Sequence, residues 1–294
     1  MAKNIFTVIT NRLFREGAYG MAYRKKGSEE YNVVLPTSTC GYADSFIYEY
    51  DGITAVFVEM LDFHYGLGTI GVFENKDGQV VGPKEIIKEP THMSFPNIFE
   101  HNDQVYMIPE TYSANDVHLY KCTQYPYKWE KTDALLSDCH IVDCALYENE
   151  GITYIVGYDI DKESSRCFIL NWDKWQLEEF FPKGEHCTER PGGTFYKENG
   201  KLKRVVQDCH RTYGEYIRIY DVDRLDKEFF IEKEEKSVRV EDYKLNIPRR
   251  YQFTHQYSVS EHYEAIDFYY PRFYWNKLYR MIYVALFRKG RNFQ

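Results

Sequence analysis

The sequence predicts an all-β fold, a five-bladed β-propeller with a short basic amphipathic helix at its C-terminus. Three observations predict it. Aromatic residues are abundant: 28 Tyr, 19 Phe and 4 Trp make up 17% of the 294 residues, and aromatic side chains favour strands. A unit of apolar strand, polar turn and second strand recurs, with starts 51, 48 and 47 residues apart. A period of about 49 residues has room for four short strands, which is one propeller blade. No long amphipathic helix and no Pro/Gly/Ser linker interrupts the repeats.

The elements follow in chain order. A strand at Tyr19–Lys25 is placed to help close a ring. The first repeat spans Asp44–Glu59 and turns at Asp51-Gly52. The second spans Phe95–Glu110 and turns at Asn102-Asp103; the third spans Asp143–Tyr158 and turns at Glu150-Gly151. The fourth, Arg190–Asp208, turns at Asn199-Gly200 and needs about two extra residues before that turn. Such turn residues between alternating strands mark hairpins. A fifth blade is expected from residues 215–270, with the charged run Glu232–Lys236 as a solvated hairpin tip. Residues 1–270 thus form the propeller and 271–294 a basic tail. The tail carries Arg272, Lys277, Arg280, Arg288, Lys289 and Arg291 and no acidic residue. Trp275, Leu278, Tyr279, Ile282 and Leu286 fall on one helical stripe. Such a helix packs on the propeller or lies on an anionic membrane surface.

Composition excludes some functions. With 37 Lys+Arg against 45 Asp+Glu, the net charge is −8, which lacks the basic footprint of a nucleic-acid binder. No apolar run approaches the roughly 18 residues of a membrane span. The N-terminus has no long apolar core or small-residue cleavage site. Seven cysteines, without CxxC spacing, read as reduced thiols. A cytoplasmic protein is expected, peripheral at the inner membrane face if the tail engages lipid.

Several short motifs invite chemistry. Gly66-Leu-Gly-Thr-Ile-Gly71 matches the dinucleotide fingerprint, but a strand-like run follows where a helix is required. Asp159/Asp161 and Asp221/Asp223 are D-x-D pairs ending strands, which in some glycosyltransferases hold a metal and a sugar diphosphate. Cys139-His140-Ile-Val-Asp143-Cys144 fits no standard zinc spacing. His92 and His255 lie near the expected channel, where each is a packed residue, a ligand to a sugar hydroxyl or part of a metal site.

The repeat carboxylates carry the strongest signal. Counting back from the turns sets Asp44 opposite Glu59 and Phe95 opposite Glu110. Asp44, Glu59, Glu110 and Asp143 then converge on one face near the central channel. Two carboxyl groups flanking a glycosidic bond cleave it, one as acid and one as base or nucleophile. Their environments must push their pKa values apart. The plainer alternative is that Asp44 and Asp143 bond their own turn backbone.

The segments Asp44–Glu59, His92–Glu110, Val142-Asp143 and Arg190–Gly214 resemble the propeller domain at the N-terminus of plant glucosamine inositolphosphorylceramide transferases. The resemblance covers about residues 19–272. Bacterial relatives of that domain occur with surface-polysaccharide genes. More distantly, the layout is similar to the five-bladed arabinanase and xylosidase glycosidases. That resemblance implies Asp44 as base, Asp143 as pKa modulator and orienter, and a Glu as acid. Glu189-Arg190-Pro191 is similar to the clan's Glu-Gly-Pro, with an offset of about two residues; Glu110 and Glu59 are the other choices. It also implies a structural calcium on the channel axis, with His255 as its candidate ligand.

The expected function is therefore glycosyl hydrolysis or transfer on a glycan, in making or trimming a surface polysaccharide. Arg190, Gln207, Asp208, His92 and His255 would bind the substrate. The alternatives are a non-catalytic glycan-binding scaffold beside a glycosyltransferase partner, and a metal-dependent transferase built on a D-x-D pair.

Overall fold

The computed structural model describes residues 15–247, 251–273, 277–279 and 282. It contains five four-stranded antiparallel sheets arranged as the blades of a propeller. The chain opens with β1 (Arg15–Lys25) and β2 (Asn32–Val34). Blade one is β3 (Cys40–Tyr50), β4 (Ile53–Asp62), β5 (Leu67–Lys76) and β6 (Gln79–Ile87). Blade two is β7 (Ser94–His101), β8 (Gln104–Glu110), β9 (Asp116–Gln124) and β10 (Lys128–Ser137). Blade three is β11 (Ile141–Asn149), β12 (Ile152–Asp159), β13 (Ser164–Asn171) and β14 (Gln176–Phe180). Blade four is β15 (Tyr196–Glu198), β16 (Lys201–Asp208), β17 (Tyr216–Leu225) and β18 (Phe230–Val238). β19 (Tyr257–Val259) and β20 (Tyr263–Phe273) then join β1 and β2 as blade five, in the order β19-β20-β1-β2.

The fifth blade corrects the expectation from the tail. Residues 216–238 belong to blade four, and the two chain ends share blade five. β1 starts at Arg15, earlier than Tyr19, and pairs along its whole length with β20. The run Glu232–Lys236 lies within β18, an outer strand, and is not a hairpin tip. Asp221 and Asp223 lie inside β17 and do not end a strand. β20 continues past residue 270 to Phe273. Residues 277–279 and 282 are helical; the rest of the tail motif lies outside the described residues. Among the described residues no helix is long and apolar enough to cross a membrane.

The core is divided among the blade interfaces. Phe46, Phe57, Phe95 and Met107 fill the space between blades one and two. Ile108, Leu119, Ile155 and Phe168 fill the next interface, and Tyr154, Val156, Val222 and Phe230 the third. Val205, Ile217, Ile266 and Phe268 join blades four and five. Met21, Tyr23, Val56 and Phe73 complete the circle. Large apolar side chains recur at each interface because each sheet is sandwiched between two others.

One irregularity repeats and sets the site. The β3–β4 pairing slips between Ala43 and Phe46, β7–β8 between Ser94 and Asn97, and β11–β12 between Val142 and Ala145. Each slip is a bulge with one left-handed residue: Asp44 at φ 50°, Phe95 at φ 45° and Asp143 at φ 49°. Glu59 therefore faces Ala43 and Glu110 faces Ser94, one residue away from the count made from the turns. Aspartate tolerates this conformation; a buried phenylalanine is strained there. Its ring is held edge-on to Phe46 at 4.8 Å. In blade four the slip is larger. Pro191 pairs with Val206, yet Tyr196 pairs with Lys203. Gly192-Gly193-Thr194 absorb the excess, and Gly193 passes so close to blade five that a Cβ would stand 1.8 Å from the Tyr257 carbonyl oxygen. We expect Gly193→Ala to lower stability by ~2 kcal/mol or more, measurable by denaturant unfolding; an unchanged midpoint would refute this close approach.

Candidate functional site

Side chains from several blades meet in one cavity of about 210 Å³. Asp44, Glu59, His92, Glu110, Arg190 and His255 line it, with Tyr19 and Tyr213 alongside.

Asp44 is held by three neighbours. Its backbone N–H donates to Asp267 Oδ2 at 3.1 Å. Its Oδ2 accepts the N–H of Phe95, the bulge residue of the next blade, at 3.0 Å. Its Oδ1 lies 3.2 Å from His255 Nε2. His255 Nδ1 is 2.8 Å from Asp267 Oδ2, off the ideal hydrogen-bond line. Asp267 also accepts the backbone N–H groups of His255 (3.1 Å) and Gln256 (3.2 Å) on Oδ1.

Asp143 sits behind the cavity wall. Its Oδ2 accepts from Arg190 Nε and, at 2.9 Å, from Gln207 Nε2. Gln207 also donates to the Pro191 carbonyl at 2.8 Å, so it supports the wall and does not line the cavity. Arg190 Nη2 donates to Glu110 Oε2 at 3.3 Å, which joins Glu110 and Asp143 under one guanidinium. Burial pushes the Glu110 carboxyl well above its usual range; Asp143, within hydrogen-bond reach, pushes the same way, and Arg190 opposes.

Glu59 pairs with His92, whose Nε2 lies 3.3 Å from Oε1. His92 Nδ1 accepts the Gly68 N–H at 2.9 Å, so the Nε2 proton faces Glu59. Gly68 is required here, since a Cβ would come within 2.7 Å of Glu59 Oε1 and 2.6 Å of the His92 ring. Burial lowers the His92 pKa, which favours this neutral tautomer. Burial, then Asp44, raises Glu59 well above the usual carboxyl range.

The remaining expected residues lie elsewhere. Glu189 turns away from the cavity and pairs with Arg218, and its Oε1 lies 3.3 Å from His210 Nε2. Asp208 joins the same cluster through His210 Nδ1 at 3.2 Å and Arg218 Nε at 3.5 Å. Neither lines the cavity. Asp159 accepts Arg166 Nη1 at 3.0 Å and Asp161 meets His140 Nδ1 at 2.7 Å. Asp221 is bound by Lys201 and Lys203. Asp159, Asp161 and Asp221 are thus engaged with their own cationic or histidine neighbours. Cys144 is buried in the interface between blades two and three, and burial pushes its thiol up.

Sequence reasoning missed Asp267, Tyr19 and Tyr213. Burial pushes Tyr19 up to about 12 and raises Tyr213 as well. The ring of Tyr213 lies 5.2 Å from the Arg190 guanidinium and 5.4 Å from the His255 ring. The only signal for Tyr213 was the following Gly214, at φ 59°, where a Cβ would meet that of His255 at 2.4 Å.

A calcium on the channel axis would have to be held by these donors. The ligand atoms of Asp44, His255 and Asp267 lie within 4.8 Å of one another. Calcium takes six to eight oxygens. Here a carboxylate stands against each ring nitrogen of His255, and Asp44 Oδ2 and both Asp267 oxygens already accept backbone N–H groups. The set does not fit a calcium ion. The second group, Glu189, Asp208 and His210, already contains the cation of Arg218.

Arg190 is positioned from behind. Arg204 and Glu232 form a wholly buried pair at 2.5 Å. Arg204 also donates to the carbonyls of Cys187 (3.0 Å) and Glu189 (3.3 Å), and Glu232 accepts the Cys187 N–H at 2.9 Å. Residues 187–190 are thereby tied to blade four. Removing one partner of a buried pair leaves an uncompensated charge. We expect Arg204→Ala to cost ~3 kcal/mol or more in urea unfolding; a near-neutral result would contradict the pair. For Glu59 the sign is opposite. A carboxyl whose folded pKa is raised contributes stability below its ordinary pKa of about 4.3 and loses it as pH rises through the folded value. Glu59→Gln should therefore raise the melting temperature by a few degrees at pH 8 and by less at pH 5, as read by calorimetry.

The family "Glucosamine inositolphosphorylceramide transferase 1, N-terminal" matches residues 32–252. The rice (Oryza sativa subsp. indica) glucosamine inositolphosphorylceramide transferase 1 is 26% identical over 231 residues, 70% of this chain and 31% of that protein. The Arabidopsis thaliana protein of the same name is 28% identical over 205 residues, 65% of this chain and 27% of that one. The chain thus matches under a third of the length of these relatives. Among solved structures, the GH43_1 enzyme from Xanthomonas citri has a TM-score of 0.55 at 12% identity, over 81% of this chain and 89% of that chain. An exo-1,5-α-L-arabinanase from a bovine ruminal metagenomic library has a TM-score of 0.51 at 15% identity, over 81% and 95%. At such identity these likenesses concern the fold alone. Matched over three-quarters of its length, this five-bladed propeller belongs to the family of N-terminal domains of glucosamine inositolphosphorylceramide transferase 1.

Proposed function

We propose that the propeller acts on a glycan, hydrolysing or transferring a glycosyl group in its central cavity. One observation carries the reading: Glu110 is a buried carboxyl whose pKa burial and Asp143 raise well above the usual range, and it lines the same cavity as Asp44. Two carboxyl groups in unlike environments are what glycosyl chemistry needs. In this reading Glu110 is the acid and delivers its proton to the leaving oxygen. Asp143, itself held by Arg190 and Gln207, keeps that proton on Glu110 and orients it. Asp44, fixed by the Phe95 N–H, is base or nucleophile. Glu59, with His92, binds a sugar hydroxyl. The acid thus comes from blade two, while Glu189 of blade four is engaged with Arg218.

The relatives carry transferase names and this chain matches under a third of their length, which supports a partner glycosyltransferase domain or chain. The same observation about Glu189 favours a second reading, a non-catalytic propeller that binds a glycan for such a partner. The two separate in one experiment. The purified protein is screened on aryl glycosides, nucleotide sugars and a glycan array, together with Asp44→Asn and Glu110→Gln. On the enzyme reading each variant loses about 10²–10⁴ of turnover with binding retained. Binding without turnover in all three proteins would establish the scaffold reading. Turnover unchanged in both variants would refute the assignment of Asp44 and Glu110.

A further inference from the structure

We propose that a second glycan-binding site lies outside the cavity, in a cleft between the rims of blades two and three, with Trp175 as its platform. Trp175 lines this cleft of about 350 Å³ together with Lys131, Thr132 and Asp133 of β10. The Trp175 hairpin lies at the far end of blade three from Asp143. β11 runs from that end to the Glu150-Gly151 turn, β12 returns to pair Asp159 with Ile141, and β13 runs out again to Asn171. The eight residues of β13, ~25 Å of strand, separate the hairpin from the cavity end.

Two local irregularities, one from each blade, build the cleft. Trp175 sits between β13 and β14 at φ 52°, left-handed backbone that a bulky residue adopts only at a cost. Asparagine or glycine would fill that position more easily. Nor is the ring buried: Trp175 is 38% exposed, and its indole N–H has no acceptor among the described residues. Trp172 meets it edge-on, with centroids 5.5 Å apart and planes at 82°. Trp172 is itself fixed, since its Nε1 donates to Thr153 Oγ1 at 2.9 Å and its ring stacks on His101 at 4.0 Å. The exposed indole is thus presented in one orientation. On β10 the pairing with β9 slips between Lys131 and Ala134, so that Thr132 and Asp133 stand against one residue of β9. Such bulges re-aim side chains. The Asp133 carboxylate has no donor or cation among the described residues, and Lys131 has only Glu89, at 3.9 Å.

An exposed indole flanked by a free carboxylate and a loosely held ammonium suits a neutral pyranose. The C–H face of the sugar packs on the negative face of the indole, and its hydroxyls both donate and accept. A nucleic-acid strand would also stack, but it needs several cations for its phosphates; one lysine lines this cleft, and the chain carries a net charge of −8. The class of ligand rests on the glycan reading above, while the cleft shares no residue with the cavity.

The test is retardation in native gels containing xylan, arabinan or a β-glucan. Wild type, Trp175→Asn, Asp133→Ala and Asp44→Asn are run side by side. The expected result is that wild type and Asp44→Asn are retarded alike in at least one gel. Trp175→Asn should bind that polysaccharide about tenfold or more weakly, and Asp133→Ala should also run faster than wild type. Asparagine accepts left-handed backbone, so Trp175→Asn should melt within about 4 °C of wild type; a ring kept for packing would not allow this. Wild type unretarded in every gel would overturn the proposal. So would Trp175→Asn retarded like wild type, or melting further below it than that. Retardation lost in Asp44→Asn would place the binding in the cavity and also overturn the second site. Failure of the cavity reading shows differently, as turnover that Asp44→Asn leaves unchanged, and does not alter the gels.

Discussion

Eleven consecutive residue pairs between β1 and β20 join the two ends of the chain, and the geometry across the channel depends on that closure. The pairing sets Asp267 of β20 opposite Met21 of β1 and so fixes Asp267 beside blade one. From there it receives the Asp44 N–H and holds His255. A strand brought from the far end of the sequence carries a loop-closure cost, but that cost grows only slowly with length. The return is five buried interfaces in place of four and no open end to the ring.

The hairpins were legible because turns are local chemistry. Asp51-Gly52, Glu150-Gly151 and Asn199-Gly200 all appear as turns with left-handed residues. The bulges were not legible. A one-residue slip leaves the alternation of apolar residues on either side intact, so nothing in the spacing announces it. It still displaced both expected partners, Glu59 and Glu110, by one residue. In blade four the slip did leave a trace, as extra length before Asn199-Gly200. Blade five could not be read as a unit, because its strands come from opposite ends of the sequence. Asp267 stands outside the four aligned repeats, so no count of repeat positions singled it out. Glu232 looked like one of a solvated charge run; its partner Arg204 lies on another strand, and only the fold brings them together.

The site concentrates like charges where water is scarce. Asp44, Glu59, Glu110, Asp143 and Asp267 cluster around Arg190 and His255. Carboxyls at such density do not all ionise together. The structure separates them by partner: Asp143 has Arg190 and Gln207, Asp267 has backbone donors and His255, Glu110 shares Arg190 with Asp143, and Glu59 meets the neutral His92. That division is created by backbone placement, through the bulges and the tied segment 187–190, before any ligand arrives.

The charged outer strand of blade four has a consequence for how the molecule meets its own copies. An outer strand offers a row of unpaired backbone groups to any passing strand. Along β18 the exposed side chains run Lys233, Glu234, Glu235, Lys236, and the start of this edge is already capped by the backbone of Lys183 and Glu185. A foreign strand docking on the remainder would have to strip water from that row of charges. This edge therefore resists growth into larger sheets.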